Sequence, residues 1–197
     1  AAQIHAIDTW QGDPHAGEYG EEVFEGFTGR LEALTRRDDA QSVAASVHRS
    51  MFLDALPTFQ DGSIDLLHID GYHSYDALRE DFETWLPKLS PNGLVLLHDV
   101  AQDSGYGSAE YYAQAIASQY EGFAFRHNFG LGVVLPKGTT GWEFLLSEEF
   151  KRWHEIYPFM ASSRLGKLID RDLTRLVQEK DEGVRNQTRM IDDRDHA

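Results

Sequence analysis

Ile64-Asp65-Leu66-Leu67-His68-Ile69-Asp70-Gly71-Tyr72-His73 and, one helical stretch later, Gly93-Leu94-Val95-Leu96-Leu97-His98-Asp99 decide how this chain reads. Each is a short apolar run that stops at an acid, the pattern of a buried strand ending in a functional loop. An open parallel sheet places its chemistry outside the carboxyl ends of the strands, so Asp70 and Asp99 are expected side by side there. Neighbouring strands run about 4.8 Å apart, close enough for two carboxylates to share one cation.

Working outward, Ile4 to Asp8 reads as another short strand closed by an acid, followed by a polar, Gly-rich connection to Gly20. Val23, Phe24, Phe27, Leu31 and Leu34 mark one face of a helix over about 21–36. Ser42 to Val47 reads as a strand and Phe52 to Phe59 as a short helix stopped by Gln60-Asp61-Gly62. Ser74 is placed as the N-cap of a helix reaching Leu89, and Pro91-Asn92-Gly93 as a turn before a strand over Leu94 to Leu97. After the loop Val100 to Gly107 come a helix, Ser108 to Tyr120, and two strands, Phe123 to His127 and Leu131 to Leu135. The turn at Asn128-Phe129-Gly130 makes those two an antiparallel hairpin at a sheet edge. Strands alternating with helices predict an α/β, doubly wound and mostly parallel sheet ending in that hairpin. Trp142 to Tyr157 reads as an aromatic-rich helix, and Leu165, Leu168, Ile169, Leu173, Leu176 and Val177 form one apolar stripe on a helix over Ser163 to Arg189, exposed or packed on a partner.

At 197 residues the chain suits one domain of ordinary size, with a core that needs no covalent staples. Its net charge of −15 argues against nucleic acid or an anionic membrane as the main partner. No apolar run is long enough to cross a bilayer, so no membrane insertion is expected and the cytoplasm is the expected compartment. With no cysteine, thiolate metal ligands are excluded.

Two anions close together in a cleft are destabilising unless a proton or cation neutralises them, so Asp70 and Asp99 count as a pair. Oxygen ligands suit Mg²⁺, or Mn²⁺ if an imidazole joins. His98 is the candidate imidazole, although alternation along a strand equally turns it to the other face. His73, three residues past Asp70, is the candidate general base, since a neutral imidazole takes a proton near neutral pH. A backbone-bonded loop histidine is the alternative. His68 sits inside its strand and reads as structural. Tyr72 and Tyr75 are pocket or packing residues, while Asp81 and Glu83 read as solvated helix-face charges or caps. Asp8 is either a ligand-binding strand-end acid or a loop cap.

With these residues in place, the chain resembles a class I S-adenosylmethionine-dependent methyltransferase, in the branch of metal-dependent sugar and macrolide O-methyltransferases. The resemblance lies in Ala6-Ile7-Asp8-Thr9-Trp10-Gln11-Gly12-Asp13, Gly62 through Asp81, Trp85 through Asp99, and Phe129-Gly130-Leu131-Gly132-Val133. It implies a Rossmann-like fold over 1–140 and a C-terminal helical extension over 141–197. It implies S-adenosylmethionine bound by Asp8, Thr9 and Trp10 at the ribose and by Ser50 and Met51 near the adenine. It also implies Mg²⁺ or Mn²⁺ on Asp70, Asp99 and His98, with His73 as general base. Relatives often carry an acid where His98 stands.

The family's first strand and Gly-rich loop are expected before Ala1, between the strands ending at Asp8 and Asp70. The implied activity is methyl transfer to a hydroxyl of a sugar or glycoside. The expected partners are that small-molecule or glycan acceptor, an associated glycosyltransferase, and a second copy of the chain. The alternatives are a metal-independent methyltransferase and a non-catalytic domain packing against a glycosyltransferase.

Overall fold

β-branched and apolar residues in short runs, punctuated by Gly, Pro and Asp, give the computed structural model of this chain its alternating strands and helices. It describes residues 2–14, 17–35, 43–127, 129–154, 156, 157 and 160. In chain order the elements are β1 (Ala2–Asp8), β2 (Gly12–Asp13), β3 (Gly17–Glu18), α1 (Glu21–Thr35), β4 (Val43–Arg49) and α2 (Phe52–Ala55). Then follow β5 (Ile64–Ile69), α3 (Tyr75–Trp85), β6 (Leu89–His98), α4 (Gly107–Tyr111), β7 (Glu121–Phe125) and β8 (Leu131–Leu135). The chain divides into two compact units, Ala1–Glu143 and Phe144–Ala197.

The strands ending at Asp70 and Asp99 pair in parallel as the sequence predicts, but the four parallel strands fall in two ladders and not in one continuous sheet. β1 pairs in parallel with β4, matching Asp8 to Arg49, and β5 pairs in parallel with β6, matching Ile69 to Leu97. β8 lies antiparallel between β6 and β7, so the closing hairpin forms one edge of a four-stranded sheet in the order β5-β6-β8-β7. The ladder is interrupted where a central strand is expected. Among the described residues β1 bonds only to β4, and β5 only to β6. Ile4 on β1 and Leu66 on β5 are each 54% exposed, unlike side chains in the middle of a parallel sheet.

The core lies on the four-stranded sheet. Val95 and Leu97 of β6 are fully buried and pack with Ile69, Leu78, Phe82, Ile116 and Val134. β6 carries the near-continuous apolar run of a strand buried on both faces, while β5 alternates only from Leu66 to Ile69, past its register shift. Ser74 caps α3 as its sequence suggests, its Oγ accepting a hydrogen bond from the Ala77 N–H at 3.1 Å.

Three local expectations change. Pro91-Asn92-Gly93 is not a turn but extended backbone at the start of β6, with a register shift between Ile64 and Leu66. Leu89 is buried and anchors this entry, and the Trp142 Nε1–H donates to the Asn92 carbonyl at 2.7 Å. The helix expected over 108–120 is α4 followed by a π-helical turn, Tyr112–Ile116. His68 is exposed, because β5 is an edge.

In the second unit a 3₁₀ turn ending at Leu146 leads to helical residues 148–154, and Phe144 meets Phe150 edge to face at 6.1 Å. The apolar stripe over 163–189 and Ser42 lie outside the described residues.

Candidate active site

Asp70 follows the last residue of β5 and Asp99 follows the last residue of β6. Because Ile69 and Leu97 are paired across the ladder, the two acids emerge at the same sheet end. The loop leaving β5 then brings in His73. Single polar atoms of Asp70, His73 and Asp99 all lie within 4.8 Å of one another. The pair predicted from the strand ends is therefore a real juxtaposition, and His73 joins it.

Asp99 is the pivot. Its side chain is almost wholly buried, and Oδ2 lies 2.8 Å from His73 Nδ1. His98 Nδ1 lies 3.0 Å from Asp99 Oδ1 and 3.2 Å from Asp70 Oδ1. Side chains of consecutive strand residues normally face opposite ways, yet His98 and Asp99 meet. Asp99 has left the strand conformation, with φ of +58°, a left-handed backbone uncommon outside glycine and tolerated best by Asp and Asn. That single dihedral resolves the alternation at His98 in favour of the cleft.

The neighbouring loops hold this conformation. The Asp99 N–H donates to the Gly130 carbonyl at 3.0 Å, and the Ala101 N–H to the Phe129 carbonyl at 2.8 Å. Gly130 adopts φ of +91°, and a Cβ there would lie 2.5 Å from Ala101 N, so only glycine lets the hairpin turn approach so closely. The Tyr106 ring lies against His73 at 4.8 Å, and Phe129 against Tyr106 at 5.8 Å.

The donor set suits a hard or borderline divalent cation. Asp99 Oδ1 and His98 Nδ1 are buried and make no hydrogen bond, despite their 3.0 Å separation, because the alignment is wrong for one. Buried polar atoms without a hydrogen bond are uncommon and often mark a missing ion or water. Two carboxylates with imidazole nitrogens around one point match Mg²⁺ or Mn²⁺ ligand chemistry.

The cofactor-side residues are arranged differently. Asp8 Oδ1 accepts a hydrogen bond from the Trp10 N–H, and the Asp8 carbonyl accepts one from the Ser50 N–H at 3.0 Å. The carboxylate thus caps its own loop while standing exposed at the strand end. Thr9 Oγ1 accepts from the Gln11 N–H at 3.2 Å. Trp10, with φ of +54°, is buried against Phe24 at 5.1 Å and Phe27 at 5.0 Å. Its visible role is packing. Met51 is exposed just before α2, and Ser50 is half-buried. Arg49 is held by a two-pronged contact to Glu21, at 2.7 and 2.6 Å, and stacks over Phe24.

One residue the sequence placed in solvent belongs near the site. Asp81 of α3 is half-buried, and desolvation pushes its carboxyl up to about 6, with Glu80 adding to the rise. Its Oδ2 and the Phe52 ring close on Gly71, where a Cβ would sit 3.0 Å from the one and 2.7 Å from the other. Glu83, by contrast, remains exposed and accepts a hydrogen bond from the Tyr111 hydroxyl at 3.3 Å. Burial first, and then the charge and hydrogen bond of Glu83, push the Tyr111 hydroxyl up to about 12. For Asp81 the available hint was an acid about two helical turns past the N-cap Ser74, with a lone glycine in the preceding loop.

Residues 1–100 match a family model described as a methyltransferase domain. An uncharacterized protein of Sinorhizobium fredii, y4gI, is 38% identical over 133 residues, which is 66% of this chain and 14% of that protein. This chain thus spans about one seventh of that relative's length. Among solved structures, the O-methyltransferase TomG of Streptomyces achromogenes, in complex with S-adenosylmethionine, is 19% identical. The match covers 69% of this chain and 73% of that one, at a TM-score of 0.45. A Corynebacterium glutamicum protein is 16% identical, with coverage of 68% and 60% and a TM-score of 0.47. The family model covers more than half of the 197 residues, and this chain belongs to that family of methyltransferase domains.

Proposed function

We propose that this protein transfers the methyl group of S-adenosylmethionine to a hydroxyl of a sugar or glycoside, with a divalent cation held by Asp70, Asp99 and His98 and with His73 as general base. The observation that carries the reading is the convergence of Asp70, His73 and Asp99 within 4.8 Å at the carboxyl ends of two paired strands. The donor's sulfonium is already a good leaving group, so the protein must chiefly align donor and acceptor and take up a proton. When bound, the cation supplies a Lewis acid that lowers the pKa of an acceptor hydroxyl.

The chain's own residues do the remainder. Asp99 holds the His73 ring through Nδ1, which makes Nε2 the nitrogen that takes the proton. Asp8, at the end of β1, accepts from ribose hydroxyls, with Thr9 and Trp10 shaping that loop and Ser50 and Met51 bordering the adenine. The Tyr106 ring beside His73, with Phe129 against Tyr106, gives the acceptor an apolar surface, which suits the C–H face of a sugar.

The metal-free reading keeps His73 and Asp99 as a base and its orienting acid, and the 2.8 Å contact between them favours it specifically. The test is methyl transfer from labelled S-adenosylmethionine to a panel of glycosides and flat phenols, with and without EDTA. Labelled glycoside lost on EDTA treatment and restored by Mg²⁺ or Mn²⁺ supports the proposal. Transfer indifferent to EDTA selects the metal-free reading, and no transfer to any hydroxyl rejects both. Association with a glycosyltransferase belongs to the same proposal, and co-purification from cells that make both proteins tests it.

A further inference from the structure

We infer that Ser108 is a positioning residue that holds His73 and Asp99 in their working relation. Two loops meet at the site, one leaving β5 and one leaving β6, and the contact between them that matters is His73 Nδ1 to Asp99 Oδ2. Ser108, in the first turn of α4, bonds to both loops. Its N–H donates to the His73 carbonyl at 3.1 Å and its Oγ–H donates to the Asp99 carbonyl at 2.8 Å. It is 3% exposed, so water does not compete for either bond.

The Asp99 carbonyl is where such a bond counts. Asp99 is one of two non-glycine residues with positive φ among those described, and strained backbone persists only where its surroundings over-determine it. Gly130 grips the Asp99 N–H on one side of its Cα, and the Ser108 hydroxyl grips the carbonyl on the other. Without the hydroxyl, the carbonyl loses its side-chain donor in a buried setting and the backbone is released toward the strand conformation. Consecutive strand side chains alternate, so that relaxation would part the Asp99 carboxylate from His98 and His73 together. Gly107 fits the same design. A Cβ there would lie 2.5 Å from the Tyr75 N, so α4 can seat Ser108 against the β5 loop only with glycine beside it.

This inference rests on the proposed function for its catalytic readout and carries a second readout that does not. Ser108→Ala should lower kcat about 10- to 100-fold with the KM for S-adenosylmethionine unchanged, the usual scale for losing a group that orients a metal ligand or a base. Mn²⁺ affinity of the protein alone, followed by the electron paramagnetic resonance of free Mn²⁺, should weaken about 10-fold. Ser108→Cys, a weak donor of similar shape, should fall between. In an Asp99→Ala background the Ser108→Ala change should add nothing to either loss. Equal losses in both backgrounds, or unchanged kcat and Mn²⁺ affinity in a folded Ser108→Ala protein, would overturn the inference. Unfolding of both Ser108 variants would also overturn it, in favour of a purely structural serine. Absence of methyl transfer in the wild type would reject the proposed function while the Mn²⁺ comparison still decides for or against Ser108.

Discussion

His73 Nδ1 and Asp99 Oδ2 stand 2.8 Å apart, joining a loop residue to a buried acid at the end of the neighbouring strand. Asp99 thereby has two tasks, since its other oxygen faces His98 and Asp70. Under the proposed function this acid orients the base and holds the cation, which couples proton uptake to metal occupancy, and mutations should separate the two.

Replacing His73 by Ala is expected to lower kcat by about 10²–10⁴-fold, the scale for losing a general base. Rapid quench with labelled donor would measure it. A rate near that of the wild type at pH 7 would return His73 to a packing role beside Tyr106.

Asp99→Asn should keep the fold, because Asn tolerates the left-handed backbone nearly as well as Asp. It removes the charge facing His98 and Asp70, so Mn²⁺ binding by calorimetry should be lost while the thermal transition stays. Asp70→Asn, at a more exposed position, should weaken binding less. Equal Mn²⁺ affinity in all three proteins would contradict a cation at this cluster.

Asp81 makes a prediction about pH. Its folded pKa, about 6, lies above the ordinary carboxyl value of 3.8, so between these values the folded state binds the extra proton. Stability linked to this group is therefore lost as pH rises through that window and stays lost at neutral pH. Asp81→Asn should raise Tm at pH 7.5 and give a much smaller gain at pH 4.5. Identical Tm differences at the two pH values would show that Asp81 is ordinarily solvated.

Gly130→Ala forces a side chain into a left-handed position against Ala101. A cost of about 2 kcal/mol or more is expected, seen as a Tm lowered by about 4–8 °C. Scanning calorimetry checks it, and an unchanged Tm would mean that the hairpin turn relaxes freely away from the β6 loop.

The legible part of this molecule was local. Apolar runs ending at Asp70 and Asp99 announced the strands, and strand-end chemistry announced the cleft, without knowledge of any distant contact. What stayed hidden depends on residues far apart in the chain. The orientation of His98 turns on the φ of Asp99, whose N–H and carbonyl bond to Gly130 in the hairpin turn and to Ser108 in α4. Asp81 and the Phe52 ring both close on Gly71, contacts that its helix-face spacing does not reveal, and the acid is a desolvated one. Likewise the extended path at Pro91 depends on Leu89 and Trp142, whereas its Pro-Asn-Gly composition speaks only for a turn. The Asp8 loop shows a milder case, where one carboxylate both caps the chain and remains at the sheet end.

Among the described residues β1 and β5 each keep one side unbonded, and this governs how the 197 residues behave when isolated in the test tube. A strand edge with unbonded N–H and C=O groups templates other strands, and Ile4 and Leu66 add exposed apolar surface to these two. Opposing this, a net charge of −15 keeps molecules apart in dilute buffer. At about 0.15 M salt the screening length is about 8 Å, and that repulsion no longer reaches across the gap between approaching molecules. Self-association should accordingly be driven by salt and concentration, grow with ordered β character, and yield to a single lysine placed at Ile4 or Leu66. For these 197 residues in isolation, colloidal stability is a property of two strand edges held in check by charge.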